Sequence, residues 1–457
     1  MSNEAQTDAA PIPGPAGHFL FGSAREYYAG RVRFFAGLAE EYGDVVRYRL
    51  GCDWHYLIDD PSVARAMLRD WERIDNTRPD REFQLDESFI AQPGRDRVEP
   101  RRLVHSTMCP RTVATSHDRM VRVAEAMLDE WEPGARRDAV SEMMRLNIEM
   151  VSSTLFGRPA ASWLAPVLPI LTDLQLLVGT YTESEQTVQR LSATRRPEVF
   201  AAIEEAIDQL VGGLEEPLPR RAPALEIMLA ERAAGRMTRR RMVHEIGVML
   251  MTTAPAGAAK IWALICLARQ PRARALLEAE LDTIPPGPLR AEDLDRLSYL
   301  PRFIKEVLRL YPPQGLISRG TYTEWGEGTL RIPPECGIDI SPYLLHRHPR
   351  YWNEPERFEP ARFDEDSPLH HPEQKLAYMP FGLGIRRCIG EGLATRQLQV
   401  LVASVVRRFR MELCPSWVLQ YDFSPLGVLH PEPLEVPLRA RARSSAAAVG
   451  VEPPLDP

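Results

Sequence analysis

Phe381-Gly-Leu-Gly-Ile-Arg-Arg-Cys-Ile-Gly390 sets one cysteine at the end of a glycine-rich run. A thiolate that binds a metal needs its charge tempered and its sulphur shielded. Backbone N–H groups of a tight loop do both by hydrogen bonding to sulphur. Gly384 and Gly390 suit such a loop, because glycine tolerates positive φ and close backbone approach. Arg386, two residues before Cys388, can reach a carboxylate of the same cofactor. Apolar residues at spacings of three and four predict a helix over Glu391–Phe409, directly after the cysteine. The dipole at its N-terminus favours an anionic sulphur.

Around this stretch lies a chain of 457 residues, 44% hydrophobic and 26% charged, with net charge −7. That hydrophobic fraction excludes intrinsic disorder and is ordinary for a globular enzyme. The acidic balance argues against a dedicated nucleic-acid binder, which needs clustered cations. Of the 56 Lys+Arg, only Lys260, Lys305 and Lys375 are lysines. Coding bias explains most of that excess; a few arginines suit bidentate recognition of carboxylates. Six cysteines (Cys52, Cys109, Cys266, Cys336, Cys388 and Cys414) lack CxxC spacing, against both a zinc ribbon and a disulfide scaffold. The first thirty residues have no positively charged start and no long apolar run. Apolar stretches elsewhere fall short of the roughly 18 residues that span a membrane. The expectation is a soluble, cytoplasmic protein without a membrane anchor.

Helical spacing dominates the chain. Phe34–Tyr42, Arg119–Trp131, Val140–Leu155, Val199–Leu214, Arg240–Arg269 and Arg302–Tyr311 follow it. Strand-like runs are few and short: Val45–Leu50, Tyr56–Ile58, Gly328–Ile332 and Gly337–Ile340. With no βαβ alternation, the predicted fold class is mostly α with small β-sheets, not a Rossmann fold or a TIM barrel. Residues 1–15 and the low-complexity tail 441–457 are expected to be loose.

A buried cysteine in a glycine-rich turn is the plainer reading of one such run, and further motifs decide against it. Phe381, Gly384, Arg386, Cys388 and Gly390 meet the five fixed positions of F-x-x-G-x-R-x-C-x-G. The run resembles the haem-binding loop of the cytochrome P-450 (haem-thiolate) enzymes. Glu306-Val-Leu-Arg309 places a carboxylate and a guanidinium three apart, on one helix face. It resembles the family's E-x-x-R motif, and Phe358-Glu-Pro-Ala-Arg362-Phe363 resembles the F-x-P-x-R-F segment that joins it. The resemblance implies a triad of Glu306, Arg309 and Arg362 that serves folding and haem incorporation. It implies that Arg319, in Leu316-Ile-Ser-Arg319, and Arg101 bind haem propionates, with Arg97 standing where the family has Trp or His. His346-Arg347-His348-Pro349 resembles the family's HRDP turn, with His348 in place of Asp, and both histidines read as structural. The similarity runs from about Pro13 to Pro437. It implies a single cytochrome P-450 domain over residues 16–440 and haem b as cofactor, with Cys388 as its thiolate ligand. That thiolate favours O–O cleavage.

One segment departs from the family. The long helix Arg240–Arg269 matches the helix over the distal side of the haem, where the family carries A-G-x-[DE]-T, an acid–alcohol pair for proton delivery. Counting back from Pro271 puts that pattern on Met251-Thr252-Thr253-Ala254-Pro255. Ala254 takes the acid position and Pro255 the alcohol position, and neither relays a proton. Pro255 removes a backbone N–H and is expected to kink the helix. Thr252 and Thr253 either satisfy backbone groups of the helix or stand in for the relay.

The resemblance implies an oxygen-dependent monooxygenase performing hydroxylation, epoxidation or oxidative coupling on a small apolar or natural-product substrate. Electrons would come from a separate ferredoxin or flavodoxin with its reductase, docked on arginines near the cysteine loop such as Arg387. The altered acid–alcohol pair keeps open a peroxide-using peroxygenase or an electron-independent isomerase or dehydratase. A non-catalytic haem-binding partner protein is a third reading, which the presence of Cys388 disfavours. Candidate pocket residues by family position are Leu316, Ile317, Leu426 and Val428, with the segments Phe83–Ala91, Leu174–Thr182 and Val248–Pro255.

Overall fold

The structure, a computed structural model, describes residues 12–75, 88, 98–132, 134, 136–165, 201–202, 204–206, 223–413, 417–424, 427–431 and 435–440. Residues 1–11, the tail 441–457, Leu426, the segment Leu174–Thr182 and all of Phe83–Ala91 except Ser88 lie outside the described residues, as does most of Val199–Leu214.

The elements that position the cysteine loop are, in chain order, α1 (Arg31–Tyr42), β1 (Val45–Leu50), β2 (Asp53–Ile58), β3 (Ile74–Asp75), α2 (Val98–Thr107), α3 (His117–Asp129), α4 (Ala139–Val151), α5 (Arg239–Met251), α6 (Ala254–Arg269), α7 (Tyr299–Leu310), β4 (Ile317–Thr321), β5 (Gly337–Ile340) and α8 (Glu391–Arg408). Helices dominate and the sheets are small, as the periodicity predicts. One sheet has the order β1-β2-β5-β4-β3. Only β2 and β5 run parallel in it, with Tyr56 opposite Ile338. β4 returns antiparallel, with Arg319 opposite Ile338, and β3 pairs Asp75 with Gly320. The predicted strand over 328–332 is a smaller ribbon in which Leu330–Ile332 pairs with Trp325–Glu327.

The helical core is built on α6, which packs against α4 and α8, while α8 also packs on α3. Ala258, Ile261, Trp262 and Ile265 of α6 are fully or almost fully buried. Trp262 stacks on Tyr311 with ring centroids 4.2 Å apart and donates from Nε1 to the Leu429 carbonyl at 2.9 Å. Two helices start on side-chain caps that the sequence supplies. The Asp138 carboxylate accepts from Val140 N and Ser141 N at α4, and the Thr238 hydroxyl accepts from Arg241 N at α5.

The helix expected over Arg240–Arg269 is interrupted at Thr252–Thr253, so α5 and α6 are separate helices. Pro255 sits in the first turn of α6, where a missing N–H leaves no helix bond unmade. Taken together, Arg239–Arg269 is long and apolar enough to cross a membrane, contrary to the sequence reading that no stretch reaches that length. Its most apolar window is 72% buried inside the protein, so its apolar faces are taken up by the core.

Candidate active site

The cysteine loop is closed by its own backbone. Cys388 N donates to the Phe381 carbonyl at 2.9 Å, and Arg387 N donates to the Gly384 carbonyl at 3.1 Å. Gly384 has φ +73°, and a Cβ there would lie 1.8 Å from the Leu68 carbonyl oxygen. Only glycine fits that position. Gly382, not Gly390, is the second left-handed residue of the loop, with φ +68°. Gly390 has φ −83° and caps the start of α8, so the freedom expected of it is not used. Its contribution is its backbone N–H, which hydrogen bonds to the Cys388 sulphur.

Desolvation raises the Cys388 thiol pKa, and the Glu391 carboxylate adds to that. The Gly390 N–H, Arg101 and Arg387 act in the opposite direction. Cys388 is nevertheless solvent-accessible. The sulphur is therefore both desolvated by its neighbours and open to a ligand. Its surroundings, one N–H donor, the N-terminus of α8 and cationic neighbours, suit an anionic sulphur bound to a metal.

Two of the predicted arginines, Arg101 and Arg386, are fixed at this loop. Arg101, on α2, donates from Nη2 to the Arg387 carbonyl, next to Cys388. Arg386 forms a buried ion pair with Asp75, Nε to Oδ1 at 2.8 Å. Asp75 is the partner of Gly320 in the sheet, one position from Arg319. Asp75 thus ties Arg386 to the strand next to the one that carries Arg319. Arg319 donates from Nη1 to the Ser318 carbonyl at 2.7 Å. Arg387 is exposed and ion-paired with Glu391 at 2.7 Å. A planar cofactor bearing an iron and two carboxylates fits this set: one sulphur ligand with cations around it.

Glu306, Arg309 and Arg362 come together as expected, all with no exposed side-chain surface. Arg309 donates from Nε and Nη2 to the two Glu306 oxygens at 2.7 and 2.9 Å. Arg362 Nε and Glu359 N both donate to Glu306 Oε1, at 2.9 and 2.8 Å. The remaining guanidinium N–H groups reach the carbonyls of His346, Asn353, Pro355 and Arg357. His346 is buried, and desolvation lowers its pKa to about 3. Its Nε2 accepts from Met379 N at 2.9 Å, so Nδ1 carries the proton and faces the Arg309 carbonyl at 3.1 Å. Both ring nitrogens are occupied by the backbone. His348 Nε2 faces the Asp44 carboxylate at 3.4 Å.

At the helix break, the Thr252 hydroxyl donates to the Val248 carbonyl and the Thr253 hydroxyl to the Leu250 carbonyl, both at 2.7 Å. Both hydroxyl protons thus serve the helix backbone. Ala254 is buried and Thr252 is exposed. Among the predicted pocket residues, Ile317 lies near the cysteine loop: a Cβ on Gly382 would be 3.8 Å from its Cδ1. Leu316 and Val428 are buried and flank Gly427, whose carbonyl accepts from Gly315 N and Leu316 N. Asp75, Asn147 and Gln397 were not legible as site residues. Lys260 left a trace in the sequence, as a lone lysine inside an apolar helix.

A family model of cytochrome P-450 matches residues 12–438. The chain belongs to the cytochrome P-450 family and is a haem-thiolate monooxygenase. It is 28% identical to the cyclooctatin synthase of Streptomyces melanosporofaciens over 422 residues, 88% of this chain and 90% of that protein. It is 26% identical to the pentalenene oxygenase of Streptomyces avermitilis over 439 residues, covering 92% and 96% of the two chains. The cyclooctat-9-en-7-ol 5-monooxygenase of Streptomyces melanosporofaciens is 25% identical over 433 residues, covering 91% and 92%.

Proposed function

We propose that this chain binds haem b through the Cys388 thiolate and uses oxygen to oxidise an apolar, unsaturated carbocyclic natural product. The observation that carries the reading is the Cys388 sulphur itself, open to a ligand, with the Gly390 N–H on it and arginines beside it. Two relatives support the substrate class, because their names carry a hydrocarbon ending in -ene and an unsaturated cyclic alcohol. When bound, the haem supplies oxygen activation, with the thiolate favouring O–O cleavage.

The chain's own residues then have distinct tasks. Gly390 N–H and the N-terminus of α8 temper the charge on sulphur. Arg101, Arg319 and Arg386 hold the propionates, Arg386 from its Asp75 anchor. Glu306, Arg309 and Arg362 lock the segment that precedes the loop. Leu316, Ile317 and Val428 form an apolar wall for substrate, Leu426 is a substrate-pocket residue by family position, and the domain runs over residues 16–440. A separate ferredoxin or flavodoxin, with its reductase, delivers electrons at the face that carries Arg387. The buried state of Arg239–Arg269 supports a soluble, cytoplasmic protein. Neither Ala254 nor Pro255 moves a proton, so a substrate hydroxyl or a held water does. That same pair favours a second reading, peroxide as the oxidant.

Two measurements test this. The reduced carbon-monoxide spectrum of the wild type should show thiolate ligation and that of Cys388→Ser should not; a wild-type spectrum of a neutral or histidine ligand would sink the assignment. Turnover is then compared with a ferredoxin system and with peroxide alone. Product from peroxide only would replace the first reading with the second.

A further inference from the structure

Lys260 is fully buried on α6, and among the described residues no carboxylate accompanies it. Its ammonium donates to Asn147 Oδ1 of α4 at 2.8 Å, Gln397 Oε1 of α8 at 2.9 Å and the Ala256 carbonyl at 3.4 Å. Three N–H donors meet three neutral oxygens, one on each helix of the core junction. Asn147 is also fully buried, and its amide has a second bond. Asn147 Nδ2 donates to the Thr253 carbonyl at 2.9 Å, at the break between α5 and α6. That carbonyl also accepts from Ala256 N and Gly257 N, at 2.9 and 3.2 Å. The lysine fixes which way the Asn147 amide points, because a flipped amide would turn its NH₂ toward the ammonium.

This arrangement is costly. Gln397 gives its oxygen to Lys260 and leaves Nε2 buried without a hydrogen-bond partner among the described residues. Burial pushes the Lys260 ammonium down to about 7. An apolar residue would pack here with less penalty, so the polar knot argues for a geometric task rather than for stability. The helices are also in close contact at this level: a Cβ on Gly257 would lie 2.4 Å from Met144 Sδ.

We propose that Lys260 and Asn147 are positioning residues for the oxygen chemistry, holding the helix break at Thr252–Thr253 through the Thr253 carbonyl. The family's acid–alcohol pair is replaced by Ala254 and Pro255, and the break is set from α4 and α8 instead. This rests on reading Thr252–Pro255 as the segment over the haem.

Hydrogen–deuterium exchange of the haem-loaded protein reads the break directly. Lys260→Met and Asn147→Leu should each speed exchange of the Ala256 and Gly257 amides by tenfold or more. The double variant should be no faster than either single one, because both cut the same chain of bonds. Imidazole titration of the haem and peroxide release per electron pair should shift severalfold in the same variants. Lys260→Met with Gln397→Met removes the polar knot and restores apolar packing, guarding against loss of fold. It should recover thermal stability but neither imidazole affinity nor coupling. Unchanged exchange, or coupling that recovers together with stability, overturns the proposal. The reduced carbon-monoxide spectrum of the same samples scores the haem assignment independently. Thr252→Phe scores the placement of the segment: unchanged imidazole binding there would mean the segment lies away from the haem.

Discussion

Gly384→Ala puts the cysteine loop to a quantitative test. A non-glycine residue in the left-handed region costs roughly 1–2 kcal/mol. The new Cβ would lie 1.8 Å from the Leu68 carbonyl oxygen, in the backbone of the helix Pro61–Arg69. That oxygen cannot rotate away, so the loop or the helix must retreat by more than about 1 Å, and forced movement of that kind costs about 1–3 kcal/mol. Together the strain is about 2–5 kcal/mol. A domain stable by about 5–15 kcal/mol survives it, but a loop that must present one sulphur does not stay in place. The thermal midpoint should fall by roughly 2–5 °C, at about 1 °C per kcal/mol for a chain of this length. The yield of thiolate-ligated protein in the reduced carbon-monoxide spectrum should fall much further. Gly392→Ala is the control: it is exposed on α8, and a Cβ there meets no atom within 4 Å. It should leave the spectrum intact and gain up to about 1 kcal/mol from helix propensity. Equal haem retention in both variants would refute the account of the loop.

Glu306→Ala should be far more damaging than its distance from the sulphur suggests. It leaves Arg309 and Arg362 buried without a counter-charge, a loss of about 3–5 kcal/mol. Apoprotein that aggregates on expression is the expected outcome, and a soluble variant with wild-type haem content would contradict it. Lys260 predicts a pH dependence of stability. Its pKa falls from 10.5 in the unfolded chain to about 7 when folded, through desolvation. Between those values the unfolded chain holds the extra proton, so raising the pH favours the fold by at most about 1.4 kcal/mol per unit. The groups around its Nζ are neutral: Asn147 from α4, Gln397 from α8 and the Ala256 carbonyl of its own helix. Charged neighbours along those helices are engaged elsewhere, Glu149 with Ala160 N and Arg396 with Asp295. Urea midpoints of wild type and Lys260→Met should therefore diverge from pH 7 to pH 9, and parallel midpoints would mean that the ammonium stays charged.

The site was legible where its chemistry is local. Cys388, Gly384 and Arg386 fall within five residues, and Glu306 and Arg309 within one helical turn, so spacing alone brings them together. Asp75 was not legible, because a two-residue strand has no periodicity and its meeting with Arg386 spans 311 positions. The role of Gly390 is hidden in the sequence for a related reason. A glycine needed for its N–H and its place at a helix start looks, in sequence, like one needed for positive φ. The break in the long helix was legible in Pro255, but its position was not.

That position follows from combining local and tertiary causes. Pro255 has no N–H to offer the Met251 carbonyl, so a helix continuous through this turn would lack that bond, whereas a new helix starting here loses none. The Thr252 and Thr253 hydroxyls bond back to Val248 and Leu250 and loosen the same turn. These features permit a bend over several residues without choosing among them. Asn147 chooses, because it offers one N–H to one carbonyl, that of Thr253. Asn147 is in turn oriented by a lysine whose other partner sits on α8, the helix that begins just after the cysteine loop. One chain of hydrogen bonds therefore ties the helix break to the helix that starts at the proposed thiolate. A substitution anywhere along it should register at both ends.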